Sequence, residues 1–167
     1  HQQILDHMFL DGLQNPYDDQ MMGFFAEQTV DKYRFTRDAQ DDFAIESVSR
    51  ALTASDSGAF AAEIVPVLVR SRRSENTVDR DEEPDRCDLE KIRSMRPAFR
   101  RDGGTVTAAS SSSISDGAAA LVLTGADTAA ARGIEPLARI VGHSGFAHEP
   151  AWFTTAPVFA IKALQDR

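Results

Sequence analysis

The residues of this sequence that could do chemistry are a lone cysteine, four histidines and several short acidic runs. Cys87 follows Asp85 and Arg86 in an acidic stretch, where neighbouring carboxylates disfavour the thiolate anion that a nucleophilic cysteine requires. The histidines show no spacing that would ligate a metal ion, and acidic runs such as 81–83 are typical of a solvated surface. We therefore predict no catalytic residue and no metal site in this chain, and a structural or incidental role for Cys87.

The most informative stretch is a run of small residues at positions 104–120. A β-prone triplet at 105–107 leads into serines 110–113, and Asp116-Gly117 then precedes small apolar residues. Small side chains let a ligand approach the main chain closely, and an Asp-Gly pair supplies a tight turn before a buried strand. Serine-rich tracts are more often solvated loops. From the residues alone, the stretch is either a pocket edge lined by main chain or an exposed loop.

Composition limits the class of protein. Hydrophobic residues make up 42% of the 167 residues and charged residues 26%, proportions typical of a globular chain. The formal net charge of −8 argues against a basic face for nucleic acid, and there is no apolar run long enough for a membrane span. A single cysteine rules out an internal disulfide and is typical of a reducing compartment. We expect a cytoplasmic protein without nucleic-acid or membrane partners.

The elements that must position these residues are mostly helical at first and then alternate. We predict helices at 1–13, 21–33, 36–53, 126–132 and 155–164, strands at 63–69, 118–123 and 137–141, and an amphipathic stretch at 89–95. Thr36 is a good N-cap, and Pro66 indicates an edge strand or a bulge. Alternation of strand and helix after about residue 115 is α/β patterning. Both ends of the chain lack the usual signals, and we interpret the sequence as an internal piece of a longer protein.

Six short blocks follow one another along the chain. They are Asp11-Gly12-Leu13 with Met22-Gly23 and Ala26-Glu27; Arg37-Asp38 with Gln40-Asp41 and Phe43-Ala44; Glu63 to Pro66; Arg96 to Phe99; Gly104 to Ala120; and Arg132 to Val141. In this order, and at nearly this spacing, the blocks resemble the motifs of the thiolases, enzymes that make or cleave 3-ketoacyl-CoA thioesters. Because they are collinear and cover nearly the whole chain, the resemblance is specific.

The resemblance implies an α/β fold, a thiolase-like fragment with a mostly helical part followed by strand–helix–strand–helix pieces of two core halves. Residues 1–114 would form most of the family's loop domain, which carries much of the coenzyme A site. Residues 115–133 would be the end of the N-terminal half, and residues 134–167 the start of the C-terminal half.

A set of coenzyme A and acyl contacts is implied in the same way. By position they are Leu13, Met21, Phe99, Ala108, Ser111, Ser112 and Ile114, with Phe153 near the acyl end. Small residues at 108–113 would let a pantetheine chain lie against the main chain, and a serine hydroxyl would bond its amide. The larger apolar members would supply walls. Taken singly, each residue also fits an ordinary core or loop position.

The sequence departs from the family at several of these positions. Met21 stands where many thiolases have a histidine, so a polar contact there is lost or altered. Ala109, Ser110 and Ser113 replace two glycines and an asparagine, which restricts the main chain. Phe153 replaces a common methionine, so an acyl-length preference does not carry over.

Thiolase chemistry needs an acceptor cysteine activated by a histidine and a second cysteine that acts as acid and base. The family's Cys-Gly-Ser and Gly-His-Pro motifs do not occur in this chain. We therefore expect a parent acyltransferase of fatty acid metabolism, a homodimer or homotetramer, that forms or cleaves 3-ketoacyl-CoA such as acetoacetyl-CoA through an acyl-cysteine. This segment would supply residues for coenzyme A or acyl-CoA as substrate, hold no permanent cofactor, and be inactive alone. The alternatives are a non-catalytic acyl-CoA binding module and an inactive structural fragment.

Overall fold

The computed structural model describes residues 4–167, which divide after Ser113 into two compact units. Residues 1–3, the start of the first predicted helix, lie outside the described residues. The first unit contains a π-helix (Met8–Leu13), α1 (Met22–Tyr33), α2 (Arg37–Asp56), β1 (Val67–Arg70), β2 (Glu75–Val78), α3 (Glu82–Arg86) and a 3-10 helix (Leu89–Ser94). The second contains α4 (Ala126–Ala131), a 3-10 helix (Pro150–Thr155) and α5 (Ala156–Gln165).

Local signals in the sequence explain where α1 and α2 begin and end. Thr36 caps α2, because its side-chain oxygen accepts a hydrogen bond from the Ala39 N–H at 3.1 Å. Asp38 in the first turn of α2 adds a favourable charge near the helix N-terminus. Helix α1 ends at Arg34, which adopts a left-handed conformation with φ of 57° and donates its N–H to the Val30 carbonyl. The predictions of helices at 21–33 and 36–53 are therefore confirmed.

Only the second half of the strand predicted at 63–69 forms, as β1 (Val67–Arg70), one half of a hairpin. Strands β1 and β2 pair antiparallel, with Val67 opposite Val78 and Arg70 opposite Glu75. Pro66 lies just before β1, where its missing N–H removes no ladder hydrogen bond. Strand β2 was not predicted, because its sequence begins with Glu-Asn, residues depleted in strands.

In the first unit, α2 packs against the first 3-10 helix, and the buried apolar side chains are Phe25 and Val30 on α1, Ala44 on α2, Ile92 and Val106. Ile92, in that 3-10 helix, is fully buried, and it confirms the amphipathic stretch within an otherwise charged and exposed region. The guanidinium of Arg37 on α2 holds the end of the 3-10 helix in place. Its Nη2 donates to the Ile92 carbonyl at 3.2 Å and to the Met95 carbonyl at 2.9 Å. Asp41, also buried, accepts from Arg37 Nε at 2.8 Å and balances its charge.

In the second unit the predicted helices form, but the two predicted buried strands do not. Residues 118–123 and 137–141 pair with no other described residue, and Leu121 and Val122 are 88% and 97% exposed. A strand exists only where a neighbour accepts and donates its main-chain hydrogen bonds, so an apolar pattern alone does not make one. Across residues 4–167, no helix is both long and apolar enough to cross a membrane.

The packing of Ile92 gives a test of this core. We expect Ile92→Ala to lower the free energy of unfolding by about 2–5 kcal/mol, because it removes a fully buried side chain and leaves a cavity. Urea denaturation followed by circular dichroism measures this change. Ile4→Ala is the matched control, since Ile4 is 99% exposed, and it should change stability by less than about 0.5 kcal/mol. Equal effects of the two substitutions would show that Ile92 is not a core residue.

Candidate functional site

A buried carboxylate fixes the beginning of the small-residue tract. Glu27 on α1 is 1% exposed. Its Oε1 accepts hydrogen bonds from two consecutive main-chain N–H groups, those of Thr105 and Val106, each at 2.9 Å. A carboxylate buried without partners would be strongly unfavourable, so these donors stabilise it and it in turn holds the segment that carries them.

Arg100 links the same carboxylate to a second acid one helical turn further along α1. Arg100 Nη2 donates to Glu27 Oε2 at 3.2 Å. Its Nη1 and Nη2 also donate to Asp31 Oδ2 at 2.7 Å and to Asp31 Oδ1 at 2.9 Å. This fork-to-fork pairing is the strong form of an arginine–carboxylate contact. The hydrogen bond from Arg100 lowers the pKa of Asp31, and the same bond raises the pKa of Arg100.

Three residues of α1 therefore form one stripe along which the segment 99–106 runs. Gly23, Glu27 and Asp31 are spaced four apart and so share a face of the helix. A Cβ on Gly23 would lie 2.2 Å from the Phe99 ring, which shows how closely the ring approaches the helix. Further along this segment, a Cβ on Gly104 would lie 2.1 Å from the Arg100 carbonyl oxygen, so only glycine permits this close approach.

Immediately after this anchored segment, the chain makes a tight turn at 107–111. Thr107 is fully buried; its N–H donates to Ser110 Oγ at 3.0 Å, and its carbonyl accepts from Ser111 Oγ at 2.7 Å. The Ser111 N–H approaches the Ala108 carbonyl at 3.4 Å. Because the Ser111 hydroxyl proton is used within the turn, its oxygen is left to accept, and not to donate, a hydrogen bond from a ligand.

The structure brings three of the predicted site residues to the start of α1. Leu13 ends the π-helix, and the next residue, Gln14, forms an isolated antiparallel bridge with Met21. Met21 is the N-cap residue of α1, two positions before the glycine that Phe99 approaches. Leu13 and Met21 are half-buried, and Phe99 remains partly exposed.

The other predicted residues divide between the turn and the second unit. Ala108, Ser111 and Ser112 lie on the turn or directly after it, with Ala108 and Ser112 exposed. Ile114 and Phe153 belong to the second unit, where both are exposed.

Phe153 lies in the 3-10 helix Pro150–Thr155, which a hydrogen-bond chain holds. The hydroxyl of Thr155 donates to the Trp152 carbonyl at 2.9 Å and lies 3.0 Å from His148 Nε2. Since Thr155 has only one proton to give, the geometry assigns the donor proton of the second bond to His148 Nε2. Phe146 and Phe159 stack at 4.7 Å between ring centres, with the imidazole edge-on to both.

Two other features are separate from the predicted site residues. A groove beside the hairpin is lined by Phe60, Ile64, Pro66 and Arg80 among others, and Asp56 and Asp85 engage the Arg80 guanidinium at 2.8 and 2.7 Å. Cys87 is half-buried and is the C-cap residue of α3. In the described part of the chain, no group of three or more His, Cys, Asp or Glu side chains is arranged to hold a metal ion.

The residues that sequence reasoning missed are Glu27, Asp31 and Arg100. Ala26-Glu27 was matched as a family block but given no role. One signal was available, because Glu27 lies between the buried apolar residues Phe25 and Val30 on α1, and acids are rarely buried without partners. Nothing in the local sequence pointed to Arg100, which is 73 positions from Glu27.

Comparison with known proteins decides the family. The profile described as "Thiolase, N-terminal domain" matches residues 1–127. This chain belongs to the thiolase family. Acetyl-CoA acetyltransferase 2 of Arabidopsis thaliana is 47% identical to this thiolase over 163 residues, which are 96% of the chain and 40% of the relative. Some of the matched acetyl-CoA acetyltransferases are mitochondrial by name.

Solved thiolase structures confirm the predicted fold class. The crystal structure of the Bacillus anthracis acetyl-CoA acetyltransferase matches with a TM-score of 0.92 and 39% identity, covering 99% of this thiolase chain and 42% of that one. The Acat5 thiolase from Ascaris suum, crystallised in complex with coenzyme A, matches with a TM-score of 0.89 and 41% identity, covering 98% and 42%. The chain thus spans about 40% of the length of these relatives.

The contact between Gly23 and Phe99 is open to direct test. We expect Gly23→Ala to lower the free energy of unfolding by about 1–3 kcal/mol, because the added methyl group would overlap the Phe99 ring and force it to move. Thermal and urea unfolding measure the change. Gly12→Ala is the control, as a Cβ there meets nothing within 4 Å. Wild-type stability in Gly23→Ala would contradict the close packing of the ring.

The Asp31–Arg100 pair should appear in the pH dependence of stability. Arg100 lowers the pKa of Asp31 below its ordinary value of 3.8, so the folded state binds this proton less readily than the unfolded state. The pair's contribution is therefore present above pH 3.8 and lost as the pH falls through the lowered pKa. The stability difference between wild type and Asp31→Asn, measured by urea unfolding from pH 7 to pH 3, should shrink at the acidic end.

The control is the same substitution in an Arg100→Gln background, where the ion pair is already gone. Asp31→Asn should then change stability by an amount that varies much less with pH. A wild-type difference that stays constant across the range would mean that Arg100 does not perturb Asp31.

Proposed function

We propose that this chain is the coenzyme A-binding part of a thiolase-type acyltransferase that forms or cleaves 3-ketoacyl-CoA, such as acetoacetyl-CoA, through an acyl-cysteine intermediate. The likeness to the Ascaris suum thiolase that holds coenzyme A is the observation that carries this proposal, since it extends over nearly the whole chain. Coenzyme A and acyl-CoA are then substrates of the protein and not permanently bound cofactors.

The first unit offers surfaces suited to the pantetheine part of such a substrate. Leu13, Met21 and Phe99 gather partly exposed apolar surface at the start of α1. The turn that follows the anchored segment presents the small side chains of Ala108 and Ser112 to solvent, so an extended ligand can lie against the main chain. The oxygen of Ser111 is an acceptor for a ligand amide N–H.

Residues of the second unit complete the proposal. We assign Ile114 to the apolar wall of the site and Phe153 to its acyl end, as their positions in the family suggest. In the same scheme, residues 1–114 are the loop domain, 115–133 end the N-terminal half and 134–167 begin the C-terminal half.

No catalytic role is proposed for Cys87. Acyl transfer to cysteine requires a thiolate beside a group that activates it. Cys87 is half-buried at the end of the short helix α3, whose acids Glu82 and Asp85 pair with Arg86 and Arg80. We infer that the chain supplies binding residues, is inactive alone, and acts within a cytoplasmic homodimer or homotetramer of fatty acid metabolism.

Coenzyme A binding tests the proposal. Titration calorimetry of the 167-residue chain with coenzyme A should detect binding, and Ala108→Leu should weaken it by about tenfold or more because a larger side chain blocks the approach to the main chain. Ala39→Leu, at another exposed alanine, on α2, is the matched control and should leave the affinity unchanged. Absence of binding by the wild type, or equal effects of the two leucines, would overturn the assignment. Acetyl transfer by this chain alone would overturn the inference that it is inactive.

A further inference from the structure

Glu27 connects α1, at whose start the proposed site begins, to the small-residue tract that follows Gly104. Glu27 lies on the α1 stripe four residues after the glycine that Phe99 approaches, and it binds the main chain at Thr105 and Val106. We propose that Glu27 is a positioning residue, which sets the conformation of the 105–112 tract and through it the affinity for coenzyme A. The second half of this proposal rests on the proposed function.

The chemistry of the contact specifies a carboxylate. Two consecutive N–H groups point at Glu27 Oε1, and Arg100 Nη2 points at Oε2. An ionised carboxylate can accept from all three, since it has only acceptors. A glutamine oxygen could still accept from the N–H groups of Thr105 and Val106, but these bonds would lose their charge assistance and the amide NH₂ group would face Arg100 Nη2. The near-isosteric amide therefore keeps the volume of the side chain, weakens the bonds to the tract and removes the bond from Arg100.

Val106 carries the constraint to both parts of the proposed site. Its N–H is held by Glu27, and its carbonyl accepts from the Ala98 N–H at 2.9 Å, next to Phe99. Thr107, the following residue, is fully buried and begins the turn that presents Ala108. Glu27 thus holds Val106, the residue directly before the turn at 107–111.

The orphaned hydroxyl of Thr107 makes this anchor more important. Thr107 Oγ1 is buried and forms no hydrogen bond with any other described group. The side chain of Thr107 therefore supplies no polar bond of its own, and the charged contacts that hold the segment before it are those of Glu27 with the N–H groups of Thr105 and Val106. On α2, Gln40 Nε2 donates to Thr105 Oγ1 at 3.0 Å, a neutral contact that cannot replace the bonds to a carboxylate.

A second buried acid in the same unit provides a matched control. Asp41 is 1% exposed, like Glu27, and it too is paired with an arginine, in this case one that also bonds to the main chain. Arg37, its partner, binds the carbonyls of Ile92 and Met95 instead of the tract. Asp41→Asn therefore removes a comparable buried charge without touching residues 105–112.

The experiment compares Glu27→Gln with Asp41→Asn in the full chain. Amide hydrogen exchange read by NMR should be faster by about tenfold or more at Thr105 and Val106 in Glu27→Gln, beyond any change in global stability, and unchanged at these amides in Asp41→Asn. Calorimetry should show coenzyme A affinity reduced by about tenfold more in Glu27→Gln than in Asp41→Asn. Glu27→Asp, which keeps the charge but shortens the side chain, should fold and give a smaller loss of both.

The outcomes separate the two proposals. Wild-type exchange at Thr105 and Val106 in Glu27→Gln and Glu27→Asp would overturn the positioning role. Equal losses of affinity in Glu27→Gln and Asp41→Asn would show that Glu27 acts only through stability. A wild-type chain that does not bind coenzyme A would instead overturn the proposed function, while the exchange data would still decide whether Glu27 orders the tract.

Discussion

A charged carboxylate enclosed by protein is the constraint on which the first unit depends. The buried carboxylate of Glu27 faces Arg100 and the N–H groups of Thr105 and Val106, and these partners offset the cost of taking it out of water. Those partners lie on one continuous segment, so satisfying the acid also determines the path of that segment along α1. The narrow approach at Gly104 and the packing of Phe99 on Gly23 are consequences of the same path. Helix, ion pairs and turn therefore form one interdependent arrangement.

The fold was predictable wherever a segment's structure depends on its own residues. Helix α2 has its cap in Thr36 and its register in its own sequence, so its position followed from the sequence. Residues 118–123 and 137–141 have the composition of buried strands, yet no described residue pairs with them. A strand needs a partner that no local pattern can supply. Strand β2 was missed although its partner β1 was predicted, because its own residues are depleted in strands and only the pairing reveals it.

The positions of the candidate site come from the family blocks and stay a prediction, and the sequence did not indicate how the chain assembles them. The family blocks indicated Phe99, Ala108 and Ser111, and the structure shows how the chain orders them, through the ring on α1 and the turn at 107–111. The role of Glu27 could not be predicted, since its donors are 78 and 79 positions away. Such a pairing is visible only once the chain has folded.

The long separation between Glu27 and its donors also sets an order of events during synthesis. A ribosome completes α1 well before residue 106 exists, and because Val106 lies 79 positions after Glu27, the acid has none of these donors until late in synthesis. Closing a loop of this size carries a large entropic penalty that only the final contacts offset. We therefore expect Glu27 to remain solvated in the nascent chain until the tract emerges, and its contacts with Thr105 and Val106 to form late.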